Sequence, residues 1–374
     1  MIIAHLSDFH LCPYGARLTQ LQSLARGSVP AGHGWETLRR EGDWRIQTRP
    51  ASTRRLRLRD QVRLVDDNGI VHKVVKTFWG VGETEAVAAL LRLMETRQRN
   101  TPQGLSSHFP DAAELERLLA HDPDNLNLRF CAVALAMQRD KPDHIVITGD
   151  LTDDAEGFEL ILRGLEPFFE RGKVTCVPGN HDIYPTPPLW VRQAYRKKEA
   201  EKRMMWATFA SSIGLPSKGS WVRDLDGAVS LVALDSCHRA AVPGSASGLV
   251  PLRDLHDVAR ALDARGQRIR LACLHHHVVN PPFRPAGVAP IQAGMRLRNA
   301  AKVFSLLESL RFRLVMNGHR HVGYRYHPAH APMFLSAPSS TIGCRSGQKP
   351  YYWRIDVDGD GLHSVREVLI PPTI

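Results

Sequence analysis

The sequence predicts an α/β protein with mainly parallel strands, and three observations carry that reading. Six short apolar runs are rich in β-formers and too short for ordinary helices. Amphipathic helical patterns separate many of them, which is the alternation that places parallel strands in one sheet. Each run also stops abruptly in polar residues of unusual type. In order they are "MIIAHLSDFH", "DHIVITGDLTDD", "KVTCVPGNHD", "VSLVALDS", "IRLACLHHH" and "FRLVMNGHRH".

The helical patterns follow the same order. "NLRFCAVALAMQRD" precedes the second run and "GFELILRGLEPFFERG" follows it, while "LRDLHDVARALDARG" and "LRNAAKVFSLLESLR" precede the fifth and sixth. The rhythm breaks between Arg17 and His121. There "LRLRDQVRLVDDNGIVHKVVKTF" alternates apolar and basic residues around Asn68-Gly69, a strong hairpin turn signal. "ETEAVAALLRLMETRQR" then carries Glu early and Arg late, as the helix dipole favours. Residues 17–121 therefore read as a β-hairpin-plus-helix insertion, and residues 1–16 and 122–374 as the core.

Composition narrows the class. The 374 residues are 43% hydrophobic and 23% charged, ordinary values for a globular protein. No run reaches the roughly 18 apolar residues of a membrane span. The first residues read as a strand rather than a secretory leader. Six cysteines are scattered without a C-x-x-C, several within apolar runs, which fits buried thiols and a cytoplasmic setting. The net charge of +11 is uneven: Arg17 to Phe78 holds 13 Lys+Arg against 6 Asp+Glu. Arg57, Arg59 and Arg63 alternate there, and Arg192, Arg196, Lys197, Lys198, Lys202 and Arg203 form a second basic stretch. Such patches favour anionic partners without choosing among them, and each also reads as a solvated face.

Polar residues at the carboxyl ends of parallel strands gather along one edge, where α/β proteins place their sites. Here the strand ends supply Asp8-x-His10, Gly149-Asp150, Gly179-Asn180-His181-Asp182, His275-His276-His277 and Gly318-His319-Arg320-His321. Taken alone, Gly-Asn-His-Asp reads first as a turn with a helix cap and only second as a site. Taken together, the five elements resemble the calcineurin-like metallophosphoesterases, a family defined by D-x-H, G-D, G-N-H-D/E, H and G-H-x-H in this order. Residues 1–12 and 144–345 carry the resemblance, and its nearest branch is the bacterial cyclic-nucleotide-phosphodiesterase-like one. It implies a four-layer αββα sandwich of two mixed sheets.

The resemblance also implies the chemistry. Two divalent metals about 3.5–4 Å apart lower the pKa of bound water and clamp phosphoryl oxygens. Asp150 would bridge them. Asp8, His10 and His321 would complete one metal, and Asn180, His319 and a histidine of the triplet the other. Family members show His-x-Pro at the triplet with the first residue as ligand; here the proline is missing, and His276 is the expected ligand with His275 next. His181 would stabilise or protonate the leaving oxygen, and Asp182 would orient its ring. His275, His277 and Arg320 are candidate substrate contacts. Nitrogen and oxygen donors without cysteine suit Mn, Fe or Zn. The alternation of His319 and His321 requires a local bend, for which Gly318 offers backbone freedom.

Other signals lead elsewhere. "DVDGDGLHSVRE" matches the letters of a calcium loop, yet its flanks read as strands around an Asp-Gly turn. "WGVGETE" lacks the third glycine and the βαβ setting of a nucleotide loop. Hydrolysis of a small phosphodiester, or of a monoester, is the expected activity. The alternatives are a nuclease acting on single-stranded nucleic acid through the basic insertion, a lipid-linked phosphate hydrolase, and a non-catalytic scaffold.

Overall fold

The computed structural model describes residues 1–13, 15, 35–41, 44–49, 60–66, 71–77, 94–95, 97–153, 155–185, 192–238, 240, 245–266, 268–280, 295–343 and 349–371. Two mixed sheets form its centre. In the first, β1 (Ile2–Leu6), β6 (His144–Ile147) and β7 (Val174–Cys176) run parallel. The antiparallel β14 (Tyr351–Asp358) and β15 (Gly361–Leu369) extend it beside β1. In the second, β9 (Val229–Ala233), β10 (Ile269–Cys273), β11 (Leu314–Asn317) and β13 (Met333–Ser336) are parallel. Its edges are the antiparallel β8 (Trp221–Asp224) and β12 (Tyr324–Tyr326).

Strand alternation explains the layering. Ile3, Val146, Leu231, Ala233, Leu271, Cys273, Leu314 and Met316 point between the sheets and form one core cluster. Their neighbours Ala4, Ile145 and Ile147 face outward from the first sheet. There they share a cluster with α3 (Leu126–Asp140), α4 (Phe158–Gly164) and the short α5 (Glu166–Phe169). Val232, Ala272, Leu274 and Val315 face outward from the second sheet, against α8 (Leu252–Asp263) and α9 (Ala300–Ser309). Both faces of each central strand are therefore covered, which is why runs such as "HIVI" are buried throughout. The result is the expected four-layer sandwich. Each fully buried Leu or Ile side chain contributes roughly 1.5–3 kcal/mol to it.

Local signals set the helix ends. Asn125 caps α3, its side chain accepting from the N–H groups of Asn127 and Leu128, and Lys141 ends it in the left-handed region at φ 45. The basic stretch at 192–212 becomes α7 (Arg192–Ser212). Asp356 to Glu367 forms the β14–β15 hairpin, whose turn is held by Asp358 accepting from the Asp360 N–H.

The insertion is more elaborate than the expected hairpin. Besides β4 (Asp60–Asp66) and β5 (Val71–Thr77), which flank the Asn68-Gly69 turn, it contains β2 (Glu36–Glu41) and β3 (Trp44–Arg49) in one four-stranded antiparallel sheet. Basic residues crowd β2 and β3, so their period-2 pattern is poorly marked. The turn itself, Arg57, Arg59 and "WGVGETE" lie outside the described residues. Arg63 stacks its guanidinium 4.1 Å from the Trp35 ring centroid and donates to Gln47 Oε1 at 2.9 Å. Both ends of the excursion are tied to the start of α3: Asn127 Nδ2 donates to Cys12 O at 2.9 Å and to Asn100 O at 3.0 Å. The last part of 17–121, α1 (Pro102–Ser107) and α2 (Ala112–His121), places Leu105, Leu115 and Leu119 in the cluster outside the first sheet. Among the described residues, no helix is long and apolar enough to cross a membrane.

Candidate metal centre

The carboxyl ends of the central strands converge, and the backbone there is unusual. Asp8 (φ 55), His10 (φ 54), Asp150 (φ 52), His319 (φ 74) and His321 (φ 52) all occupy the left-handed region. For non-glycine residues each such conformation costs roughly 1–3 kcal/mol and persists only where surroundings enforce it. Asp8 N donates to Gly149 O at 2.9 Å and His10 N to Asp150 O at 3.0 Å, locking the two loops together. Ser339 Oγ donates to Asp8 O at 2.6 Å and Thr341 Oγ1 to Phe9 O at 2.9 Å, fixing them from below. The reversals turn side chains that would otherwise be a strand step apart into one space. The bend expected at His319 and His321 is therefore present, but Gly318 is not the flexible residue. It is needed for room: a Cβ there would collide with Ser7 Oγ and the Asp8 carboxylate.

Asp8, His10, Asp150 and His321 form one group of potential ligand atoms, all within 4.8 Å of one another and buried. His10 Nε2 lies 2.8 Å from His321 Nε2, 3.8 Å from Asp8 Oδ1 and 3.7 Å from Asp150 Oδ2. His321 Nε2 is 3.4 Å from Asp8 Oδ1. Burial pushes the Asp8 carboxyl up, but the hydrogen bond from His321 and the imidazoles around it prevail and hold it below the usual carboxylate range.

Asp150, His275 and His319 form the second group. His275 Nε2 lies 3.0 Å from His319 Nδ1, 3.0 Å from Asn180 Oδ1 and 3.5 Å from Asp150 Oδ2. Asp150 Oδ2 is thus shared between the groups. Burial raises its carboxyl too, and His275, His181 and His10 together outweigh that and lower it.

The triplet departs from expectation. His275, expected only as a substrate contact or second choice, joins the group with Asp150 and His319, and His276, the expected ligand, does not. His276 turns away, with Nδ1 on Ser236 Oγ at 2.9 Å and Nε2 on Ala246 O at 2.9 Å. Period-2 alternation along the strand end sends neighbouring side chains to opposite sides, so only one of the pair can face Asp150. His277, the other expected substrate contact, is bonded through both ring nitrogens. Its Nε2 donates to Gly318 O at 2.7 Å and its Nδ1 meets Tyr324 Oη at 2.9 Å, which holds the loop bearing His319. Burial lowers both His276 and His277 to about 3, so they stay neutral. Arg320 is half-buried, and its charge adds to the lowering of His277.

Gly-Asn-His-Asp is both a turn and a site. It forms the single helical turn α6 (Asn180–Ile183), and Asp182 is its cap. The Asp182 carboxylate accepts from Gly179 N at 2.8 Å, Leu151 N at 3.2 Å and Thr152 N at 2.9 Å. Burial and the neighbouring Asp150 push its carboxyl up to about 6 against those donors. Those backbone contacts, rather than the His181 ring, account for its place. The carboxylate beside the ring is Asp153: its Oδ1 lies 3.1 Å from His181 Nδ1 and 2.7 Å from His10 Nδ1. In "GDLTDD" the family motif ends at Asp150, and the only signal for Asp153 is its place one loop step further on. Lys202, which in sequence belongs to a basic helix face, is fully buried in α7. Its Nζ donates to Tyr184 O at 2.9 Å and to Asp153 O at 3.3 Å, joining the loops that carry His181 and Asp153.

The donor chemistry fits cations. His10 Nδ1 faces a carboxylate and His275 Nδ1 donates to Thr148 O at 2.7 Å, so in the neutral rings both Nε2 atoms carry lone pairs. His275 Nε2 then faces the Asn180 carbonyl oxygen at 3.0 Å, two acceptors that a shared cation reconciles. Donors about 2.1 Å from one cation lie roughly 3.0–3.4 Å apart at octahedral to tetrahedral angles. The observed separations run from 2.8 to 3.8 Å and bracket those values.

The chain is similar to known proteins. The family model described as calcineurin-like phosphoesterase matches residues 108–323, more than half of the chain. Among solved structures, a dimetal phosphatase from Danio rerio is similar at 11% identity and a TM-score of 0.44, covering 99% of each chain. The protein TT1561 of Thermus thermophilus is similar at 12% identity and a TM-score of 0.38, over 64% of this chain and 92% of that one. A purple acid phosphatase from yellow lupin (Lupinus luteus) seeds is similar at 9% identity and a TM-score of 0.36, over 60% of this chain and 43% of that one. No curated protein matches the sequence.

Proposed function

The chain belongs to the calcineurin-like phosphoesterase family, and from that premise we propose that it hydrolyses small phosphodiesters with two divalent cations held around Asp150. The observation that carries this reading is the shared carboxylate: Asp150 Oδ2 lies 3.7 Å from His10 Nε2 and 3.5 Å from His275 Nε2. Asp8, His10 and His321 would hold one cation and Asn180, His275 and His319 the other. Their nitrogen and oxygen atoms suit Mn, Fe or Zn. When bound, such cations supply a nucleophile at neutral pH and offset charge on the phosphoryl group.

The chain's own residues do the rest. His181 has 15% of its side chain exposed, the most open histidine of the cluster, so it is placed to meet a substrate. Its Nδ1 faces Asp153, which stabilises the imidazolium and leaves Nε2–H to protonate the departing oxygen. A simple alkoxide needs that proton, so the arrangement suits an ester with a poor leaving group. The "ALDS" run followed by Gly244 to Gly248 supports the same substrate class through its resemblance to the cyclic-nucleotide branch. Asn180, a neutral ligand, limits negative charge beside the phosphate.

We assign the excursion between Cys12 and Asn100 the role of shaping access to this site, and α1 and α2 to the core. The excursion leaves the chain just after His10, and its ends are joined through Asn127. Nucleic acid remains a second partner class only through its basic residues, and Arg63 is already engaged by Gln47 and Trp35.

The test compares kcat/KM for bis(p-nitrophenyl) phosphate and p-nitrophenyl phosphate in the Mn-loaded enzyme. The diester is expected to be the better substrate. Faster turnover of the monoester would overturn the diesterase assignment.

A further inference from the structure

The amino ends of β10 and β11 lie at the far side of the sandwich from the metal centre. Arg270 and His275 sit five residues apart on the same run, about 17 Å at the strand rise. Here an open cleft of ≈ 670 Å³ is lined by Arg268, Arg270, Arg311 and Arg313, with Gly227 and Gly359 from two hairpin turns. No carboxylate lines it among the described residues.

Contacts within the fold account for Arg268 and Arg270 but not for Arg311 and Arg313. Arg313 N donates to Arg270 O at 2.8 Å, so the two arginines lie side by side on neighbouring strands. Like charges opposed across a strand pair destabilise a sheet. Two of the four side chains are also held in place. Arg270 Nη1 donates to Leu310 O at 2.9 Å, and Arg268 Nη1 to Asp226 O at 2.9 Å with Asp224 Oδ1 at 3.8 Å. Arg311 and Arg313 are exposed, with no ion pair to relieve them among the described residues. Fixed and free guanidinium groups on one concave surface make a receptor for phosphate oxygens, which the planar fork matches in pairs. The volume falls in the range of small-molecule sites rather than of a macromolecular face.

We propose that this cleft binds a compact anion carrying several phosphate groups, separately from the catalytic centre. The site stands whether or not the phosphodiesterase reading holds, because it shares no residue with the metal ligands.

Calorimetric titration with inositol hexasulfate, a compact polyanion that a phosphoesterase does not hydrolyse, tests it on the full metal-loaded chain. One equivalent is expected to bind, with affinity falling as salt rises. The double variant Arg311→Glu/Arg313→Glu, altered only at exposed side chains, is expected to bind at least tenfold more weakly and to hydrolyse bis(p-nitrophenyl) phosphate normally. Asp150→Asn is expected to bind like the wild type, which separates this site from the catalytic one. Absence of binding, or equal binding by the double variant, would overturn the proposal. So would arginine-dependent binding of single-stranded DNA without binding of the hexasulfate, since the cleft would then serve a polymer.

Discussion

At one end of the central strands, Asp8, His10, Asp150, His319 and His321 are buried and bent into the left-handed region. At the other end, Arg311 and Arg313 are exposed and meet no carboxylate in their cleft among the described residues. Both ends concentrate polar groups at the edges of apolar strands, but by opposite means. The metal edge sinks imidazoles and carboxylates out of water, and that burial is tolerable only where cations or hydrogen bonds complete them. The arginine edge keeps part of its charge hydrated, so it asks little of the fold. Perturbing the first should therefore cost catalysis and metal affinity, and perturbing the second only ligand binding.

The sharpest way to break that contrast is at His181. His181→Ala is expected to keep both metals and to slow hydrolysis by roughly 10²–10⁴-fold, the range of a general acid–base group. The loss should be smaller for p-nitrophenyl esters, whose leaving group scarcely needs a proton. Equal losses for alkyl and p-nitrophenyl leaving groups, measured as kcat, would show that the ring binds the transition state without donating a proton.

Asp153 sharpens the contrast one layer out. It touches both His10 and His181, so Asp153→Asn is expected to lower activity or metal affinity by about 10–100-fold. Metal titration and kcat together separate the two histidines: weaker metal binding points to His10, and a slower step at full metal occupancy to His181. A variant unchanged in both would mean that the rings hold their own orientation.

A smaller effect is expected in the first sheet at the amino end of β6, remote from the metal centre. Burial first, then the charges of Arg223 and Lys173, lower His144 from 6.5 to about 3. Between those values the unfolded chain binds a proton that the folded chain refuses. Stability therefore rises with pH across that window and falls on acidification through it. His144→Gln, which can still reach the Thr175 hydroxyl bonded to His144 Nε2 at 2.9 Å, is expected to flatten the slope of unfolding free energy against pH across the lower part of that window. An unchanged slope would contradict the neutral, buried assignment.

Much of the metal edge was legible because its chemistry demands particular residues at particular strand ends. Asp8, His10, Asp150, Asn180, His319 and His321, read from separate strand ends, lie together in the structure. What sequence did not resolve were choices made by direction. Whether His275 or His276 faces Asp150 depends on the phase of the alternation after Cys273, and the missing proline removed the usual marker. Asp182 and Asp153 are both acidic and both near His181 in sequence or space, but only the folded loops show that one caps α6 while the other meets the ring. Lys202 looked solvated because its neighbours Arg196, Lys197 and Lys198 are basic, and its burial follows from the face α7 presents to the loops. The insertion's β2 and β3 escaped notice because arginine and glutamate occupy the positions where alternation would have been read.

The shared position of Asp150 is the claim on which the catalytic account rests, and metal content measured alongside turnover in Asp150→Asn tests it most directly. The wild type should hold two divalent cations per chain. The variant should hold fewer than two and lose at least about 10²-fold in activity, more than the removal of an outer partner costs. Two tightly held cations with normal turnover in Asp150→Asn would contradict the account.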